Sequence, residues 1–173
     1  MDASLDTVRI QIAALVPRLR RFALSVTGKR ADADDLVQDT LERALRHLDQ
    51  WEPGTRLDSW MFRIAQNLFI DARRAARRRR AVFVDTEATM VDAGFDGERA
   101  AEAHVTWRET CAALSTLPED QRSVIALVLI DGMSYRDAAD VLGVPIGTVT
   151  SRLARGRETL AEKIFGSTAE LRQ

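Results

Sequence analysis

The chain has 173 residues, of which 46% are hydrophobic and 29% charged, and its net charge is -1. This composition excludes a disordered polymer and fits one medium-sized globular domain or two small ones. The single cysteine, Cys111, excludes an intramolecular disulfide, and no window approaches the roughly 18 uncharged apolar residues of a membrane span.

The charge is unevenly placed. Residues 1–80 carry sixteen Lys and Arg against eleven Asp and Glu, residues 81–109 carry two against seven, and residues 110–173 carry seven against eight. The three segments therefore stand at +5, -5 and -1. A basic front beside an acidic middle points to a polyanionic partner that the total charge conceals. Asp2 and Asp6 occupy the place where a secretory leader carries basic residues, so no signal peptide is expected. The lone thiol suits a reducing, cytoplasmic compartment.

A first helix is expected over 5–26, where Ile12, Leu15, Val16, Leu19, Phe22, Ala23 and Val26 recur at helical spacing. Pro17 is its kink point and Gly28 its stop. A second helix opens at Asp32 as N-cap, with Asp35 three residues on. Leu36, Val37, Thr40, Leu41, Ala44, Leu45 and Leu48 form its buried stripe. Asp35, Gln38, Asp39 and Glu42 form an acidic outer face, on spacing alone a solvated surface first and a docking face for a basic helix second. Residues 51–55 form a turn around Pro53-Gly54.

A third helix spans 57–79, with Leu57, Trp60, Met61, Ile64, Ala65, Leu68 and Ala72 facing inward. Arg63, Asn67, Asp71 and Arg74 share the outward face. The helix ends in Arg77, Arg78, Arg79 and Arg80, a run that complements a helix C-terminus and also suits DNA phosphates by releasing counterions. Trp51, Trp60, Phe62 and Phe69 are candidates for holding unstacked bases or for the core, and Trp60 is assigned to the core. Residues 81–98 lose helical periodicity, are acidic, and read as an interdomain linker. Their charge could pair with the 77–80 arginines and favour a closed, inactive arrangement.

Helical pattern resumes over 99–117, with Val105, Cys111, Leu114 and Leu117 available for packing. Another helix starts at Pro118 as its first residue and runs to Asp131-Gly132. The strongest local signal is 134–160. Ser134 and Asp137 have capping-box spacing, Gly143 ends a short helix, and Pro145 starts another at its first position. Ala138, Ala139 and Leu142 face inward from the first of these helices, and Val149, Leu153 and Leu160 from the second. Thr148, Ser151, Arg152 and Arg155 remain for solvent or the major groove. This is helix-turn-helix spacing, in which a small residue and a glycine allow two helices to cross steeply. The tail, 166–173, carries no strong signal.

Two histidines, His47 and His104, and one cysteine supply no metal quartet, and no phosphate loop or nucleophile elbow is present. No catalytic residue, metal ligand or cofactor is expected, and an enzyme is the weak hypothesis. The expected fold is all-α, in two small helical domains.

Three segments in this order carry a resemblance: DADDLVQDTLERAL at 32–45, RLDSWMFRIAQNLFIDARR at 56–74, and LPEDQRSVIALVLIDGMSYRDAADVLGVPIGTVTSRLARGR at 117–157. Together they resemble an extracytoplasmic-function (group IV) bacterial sigma factor of the sigma-70 family, the minimal type that keeps only the second and fourth conserved regions. The resemblance implies a region 2-like domain over 1–80, a linker over 81–98, a region 4-like domain over 99–165 and a tail over 166–173. It implies binding to core RNA polymerase, with Asp35, Gln38, Asp39 and Glu42 on the clamp helices of the largest subunit. It further implies promoter DNA as partner: Asn67, Asp71, Arg74, Arg77 and Arg78 at the -10 element, and Thr148, Ser151, Arg152 and Arg155 at the -35 element. An anti-sigma protein is the expected regulator, with no site assigned to it. The competing readings are a self-contained helix-turn-helix regulator, which should offer a phosphoacceptor or ligand pocket in its front half, and a protein-binding mimic, which should lack Arg152 and Arg155.

Overall fold

The computed structural model describes the backbone of residues 2–82 and 100–170 and most side chains within those spans. All regular structure among the described residues is helical. The elements are α1 (Asp2–Thr27), α2 (Arg30–Arg46), a 3-10 turn (Leu48–Gln50), α3 (Leu57–Val82), α4 (Ala100–Ser115), α5 (Glu119–Ile125), a π turn (Ala126–Ile130), α6 (Tyr135–Leu142) and α7 (Ile146–Glu170). The all-α expectation therefore holds.

The front half is a three-helix unit. Ile12, Leu19, Phe22 and Val26 of α1 meet Leu36, Val37 and Ala44 of α2 and Met61, Phe62, Ala65 and Phe69 of α3, all buried. Phe22 and Phe62 pack edge to face at 5.4 Å, the arrangement aromatic quadrupoles favour. The Arg18 guanidinium lies 5.4 Å from the centre of the Phe62 ring. α1 continues through Pro17 and stops where Gly28, at φ 70°, donates its N–H to Leu24 O at 2.9 Å. Thr40, buried in α2, satisfies its hydroxyl on Leu36 O at 2.6 Å.

Several expectations are corrected here. α2 begins at Arg30 with Lys29 at its N-cap, so Asp32 lies inside the first turn and caps nothing with its side chain. Carboxylates in a first turn still suit the helix dipole, which explains why the sequence pattern misplaced the N-cap by three residues. Leu45 is 51% exposed rather than part of the buried stripe, because the helical period carries it past the α1 contact. Ala72 is likewise exposed. Phe62 and Phe69 are buried among helices and present no face to a base. α3 extends to Val82, beyond the expected end at 79, and α7 runs on to Glu170, past the helix-turn-helix stretch read over 134–160. The acidic segment 83–99 lies outside the described residues.

The rear half wraps α7 against α4, α5 and α6. Pro118 and Pro145 each stand one residue ahead of a helix rather than at its first position. The expected cap is present: Asp137 N–H donates to Ser134 Oγ at 3.1 Å, and the Ser134 hydroxyl donates to the Asp137 carboxylate at 2.6 Å. Gly143 ends α6 in the left-handed conformation, φ 64°. Gly156 of α7 is buried against α5, where a Cβ would meet Ile125 Cδ1 at 2.6 Å. Cys111 is buried, and burial pushes its thiol up to about 11, so it is packing and not a reactive thiolate.

The two halves touch. α1 packs on α4, α5 and the π turn, and α3 packs on α6. Arg122, 7% exposed, reaches across to donate to Val26 O at 2.9 Å and also to Leu117 O at 2.9 Å and Ser115 O at 3.2 Å. Two helix ends are thus tied by one cation. Burial, with Arg73 nearby, lowers its pKa, and the carbonyl oxygens of those helix ends supply its partners.

Candidate nucleic-acid interface

Three surfaces carry the residues singled out from the sequence. The first lies between α2 and α3. A cavity of about 410 Å³ is lined by Asn67, Asp71 and Arg74 together with Arg43, Ile64 and Ile70. Asn67, Asp71 and Arg74 are exposed, as their four and three spacing requires, and Asp71 stands 3.9 Å from Arg74. The lining offers an amide, a carboxylate and two guanidinium groups around two isoleucines. That combination can hydrogen-bond a base edge, pair with a phosphate and enclose an apolar ring face. Arg43 escaped the sequence reading because it sits on α2, more than twenty residues from the others.

The second surface is the acidic face of α2. Asp35, Gln38, Asp39 and Glu42 are exposed, as expected. Asp35 and Asp39, with Asp32, form the α2 wall of a second groove of about 630 Å³, which also has apolar Leu36, Leu68, Phe69 and Ala72 in its lining and Arg73 and Arg79 on its α3 side. Glu42 is engaged by Arg46 one turn on. An acidic wall beside an apolar lining suits an amphipathic basic helix.

The third surface is the amino-terminal half of α7. Arg155 is exposed there, and Thr148 and Ser151 are half-buried. The Ser151 hydroxyl donates to Thr148 O at 3.1 Å. Arg152 does not project freely: its Nε lies 3.0 Å from Asp120 of α5. Thr150 and Ala154, which the sequence reading passed over, are exposed beside Arg155. They follow from the burial of Val149 and Leu153, since each is the next residue round the helix.

The arginine run is divided. Arg78 and Arg79 are exposed at the end of α3. Arg73 and Arg77 converge on Glu119 of α5 at 2.7 and 3.0 Å. Burial works against the Glu119 carboxylate, but the two guanidiniums outweigh it and hold it below the usual range. Ahead of α3, Arg56 pairs with Asp58 at 2.8 Å and with Asp137. Asp58 is held low chiefly by the Arg56 hydrogen bond, and Asp137 chiefly by the Ser134 hydroxyl with Arg56 adding to it. Among the described residues no group of histidine, cysteine or carboxylate side chains could hold a metal ion, and no helix is long and apolar enough to cross a membrane.

The comparisons with known proteins agree with this geometry. Residues 12–79 match the Sigma-70 region 2 family and residues 111–160 the Sigma-70, region 4 family. The ECF RNA polymerase sigma factor EcfG of Rhodopseudomonas palustris is 41% identical over 95% of this chain and 89% of its own. The ECF RNA polymerase sigma factor SigE of Mycolicibacterium smegmatis is 33% identical over 90% of this chain and 61% of its own. Among solved structures, the sigma factor RpoE in complex with the anti-sigma factor NepR from Bartonella quintana superposes with a TM-score of 0.72 at 34% identity, covering 90% of this chain and 95% of that one. These relatives are regulatory proteins, not catalysts, and the chain belongs to the ECF RNA polymerase sigma factors of the sigma-70 family.

Proposed function

We propose that this chain acts in the cytoplasm as a group IV sigma factor: a non-catalytic subunit that joins core RNA polymerase and brings it to promoters. The labour divides along the chain. A region 2-like domain, 1–80, docks on polymerase and reads the -10 element. A region 4-like helix-turn-helix domain, 99–165, reads the -35 element, and residues 81–98 join them. The clamp helices of the largest polymerase subunit take the α2 face, Asp35, Gln38, Asp39 and Glu42. Asn67, Asp71 and Arg74, with Arg77 and Arg78, engage the -10 element, and Thr148, Ser151, Arg152 and Arg155 the -35 element. A protein of the anti-sigma kind is the natural regulator, since a similar sigma factor is found bound to one.

The observation that carries this reading is the sorting of charge by surface. The acidic wall on α2 suits a protein, while Arg43 and Arg74 share one face and Arg155 lies on another, both suited to nucleic acid. Each good base contact is worth about 1–3 kcal/mol, so neither face alone selects a promoter, and both are needed at a fixed spacing. The test of the docking face is co-purification with core polymerase. The unaltered chain should be retained, and the Asp35→Lys, Asp39→Lys double variant should bind at least tenfold more weakly. Equal retention of both would contradict the assignment.

A further inference from the structure

Within the rear half, α7 is set on α5 by a close approach. Gly156 of α7 is buried, and a Cβ there would lie 2.6 Å from Ile125 Cδ1 and 3.5 Å from Gln121 Cβ. Val149 and Leu153, both buried, fix the rotation of α7 in the two turns before it. Arg152 lies one turn ahead of Gly156 on the same side of the helix, so it comes up beside the first turn of α5. Asp120 stands in that first turn. Its Oδ1 accepts the Gln121 N–H at 3.0 Å, and its Oδ2 lies 3.0 Å from Arg152 Nε. The carboxylate is thus tied to its own helix by one oxygen and turned to α7 by the other.

The two arginines of the α7 surface differ in this respect. Arg155 is exposed and has no ion-pair partner among the described residues. Arg152, with its side chain 27% exposed, is held at Nε, which leaves the outer edge of the guanidinium, with both terminal nitrogens, for another partner. An ion pair this open adds little to stability. What it removes is freedom. An unheld arginine can follow a phosphate wherever the backbone runs, whereas a base edge presents its acceptors in one plane at fixed positions. Guanine O6 and N7 match the terminal edge of the guanidinium fork. The Asp120 carboxylate itself works against phosphate binding, since its side chain is 48% exposed beside a helix assigned to DNA. Its presence there favours selectivity over affinity.

We propose that Asp120 is a positioning residue for promoter reading: it braces Arg152 so that the terminal nitrogens meet a guanine edge in the -35 element. Arg152 is then a reader of sequence and Arg155 a contact to the backbone. The proposal rests on the assignment of α7 to the -35 element given above and adds to it a residue from outside the helix-turn-helix.

The test uses holoenzyme assembled from core polymerase and the full chain, binding a promoter pool with a fixed -10 element and a randomised -35 element, and separately a promoter-free duplex. Asp120→Asn keeps an oxygen for the Gln121 N–H and turns an uncharged amide to Arg152, so the fold is retained and the brace is lost. Its preference for guanine at one -35 position should fall about fivefold or more, while binding to the promoter-free duplex holds or rises. Arg152→Ala should relax the same position, and adding Asp120→Asn to it should change selection less than about twofold. Asp120→Glu, which restores the charge, should recover guanine preference relative to Asp120→Asn, and it decides the matter if the asparagine variant proves less stable to urea. A glutamate variant no more selective than the asparagine one would overturn the brace. So would an Asp120→Asn holoenzyme that weakens on every sequence alike, the promoter-free duplex included. An unchanged profile for Asp120→Asn beside a relaxed one for Arg152→Ala would overturn the brace and leave the -35 assignment standing. Uniform weakening by Arg152→Ala, with a shallower salt dependence, would make Arg152 a phosphate contact and overturn the guanine reading. No selection at the -35 element by the unaltered holoenzyme would contradict the assignment of α7 itself, and the proposal with it.

Discussion

At the scale of single residues, the rear half depends on closeness that only glycine allows. Gly156 lets α7 lie directly on α5, with Ile125 Cδ1 at 2.6 Å and Gln121 Cβ at 3.5 Å from where a Cβ would sit. Alanine would push only the far end of the Ile125 side chain. A branched side chain of leucine size has no room, since Ile125 and Val124 are themselves buried. Gly156→Leu should therefore lower stability by about 2 kcal/mol or more through overpacking, read as a reduced urea midpoint at unchanged slope. An unshifted midpoint would mean that α7 does not press on α5 as closely as described.

At the scale of elements, legibility followed the range of the interactions. Ser134, Asp137 and Gly143 were readable because caps and stops are decided within four residues, and the structure keeps both devices as expected. The start of α2 was not, because Asp32, Asp34 and Asp35 form a cap-like cluster while Lys29 takes the N-cap place without a side-chain bond. Periodicity found most of the buried stripes but could not separate Phe62 and Phe69, which are buried, from Trp51 and Trp60, which are partly exposed. That distinction depends on which helix lies opposite. The π turn at Ala126–Ile130 has no local signature in an apolar run, yet it directs Asp131 to Arg18. Of the DNA-facing set, the outward placement of Asn67, Asp71, Arg74 and Arg155 was readable, but the diversion of Arg152 to Asp120 and of Arg77 to Glu119 was not. Ion pairs between residues thirty or more apart leave no trace in spacing.

At the scale of the whole molecule, carboxylates at and beside the contact between the halves make stability depend on acid. Asp58, Asp137 and Glu119 are all held below their ordinary range in the folded chain. The unfolded chain therefore binds more protons than the folded one wherever these groups titrate, and their stabilisation is complete above the unfolded carboxylate range, about pH 4. It is lost as pH falls through the lower folded values. Urea midpoints should be nearly level between pH 7 and pH 5 and should fall steeply below about pH 4. A midpoint that is level down to pH 3 would show that these carboxylates gain nothing on folding. The arginine partners remain charged throughout this window and do not alter the sign.

The same scale holds the central claim, that acidic docking on α2 and DNA-facing residues on α3 and α7 act together as one promoter-reading subunit. Run-off transcription with core RNA polymerase, with and without this chain, tests it most directly on a template library of randomised -10 and -35 elements at the natural spacing. The account predicts defined transcripts only when the chain is added, with sequence selected at both elements and lost when the spacing is changed by half a helical turn. No chain-dependent transcript, or selection confined to one element, would contradict it.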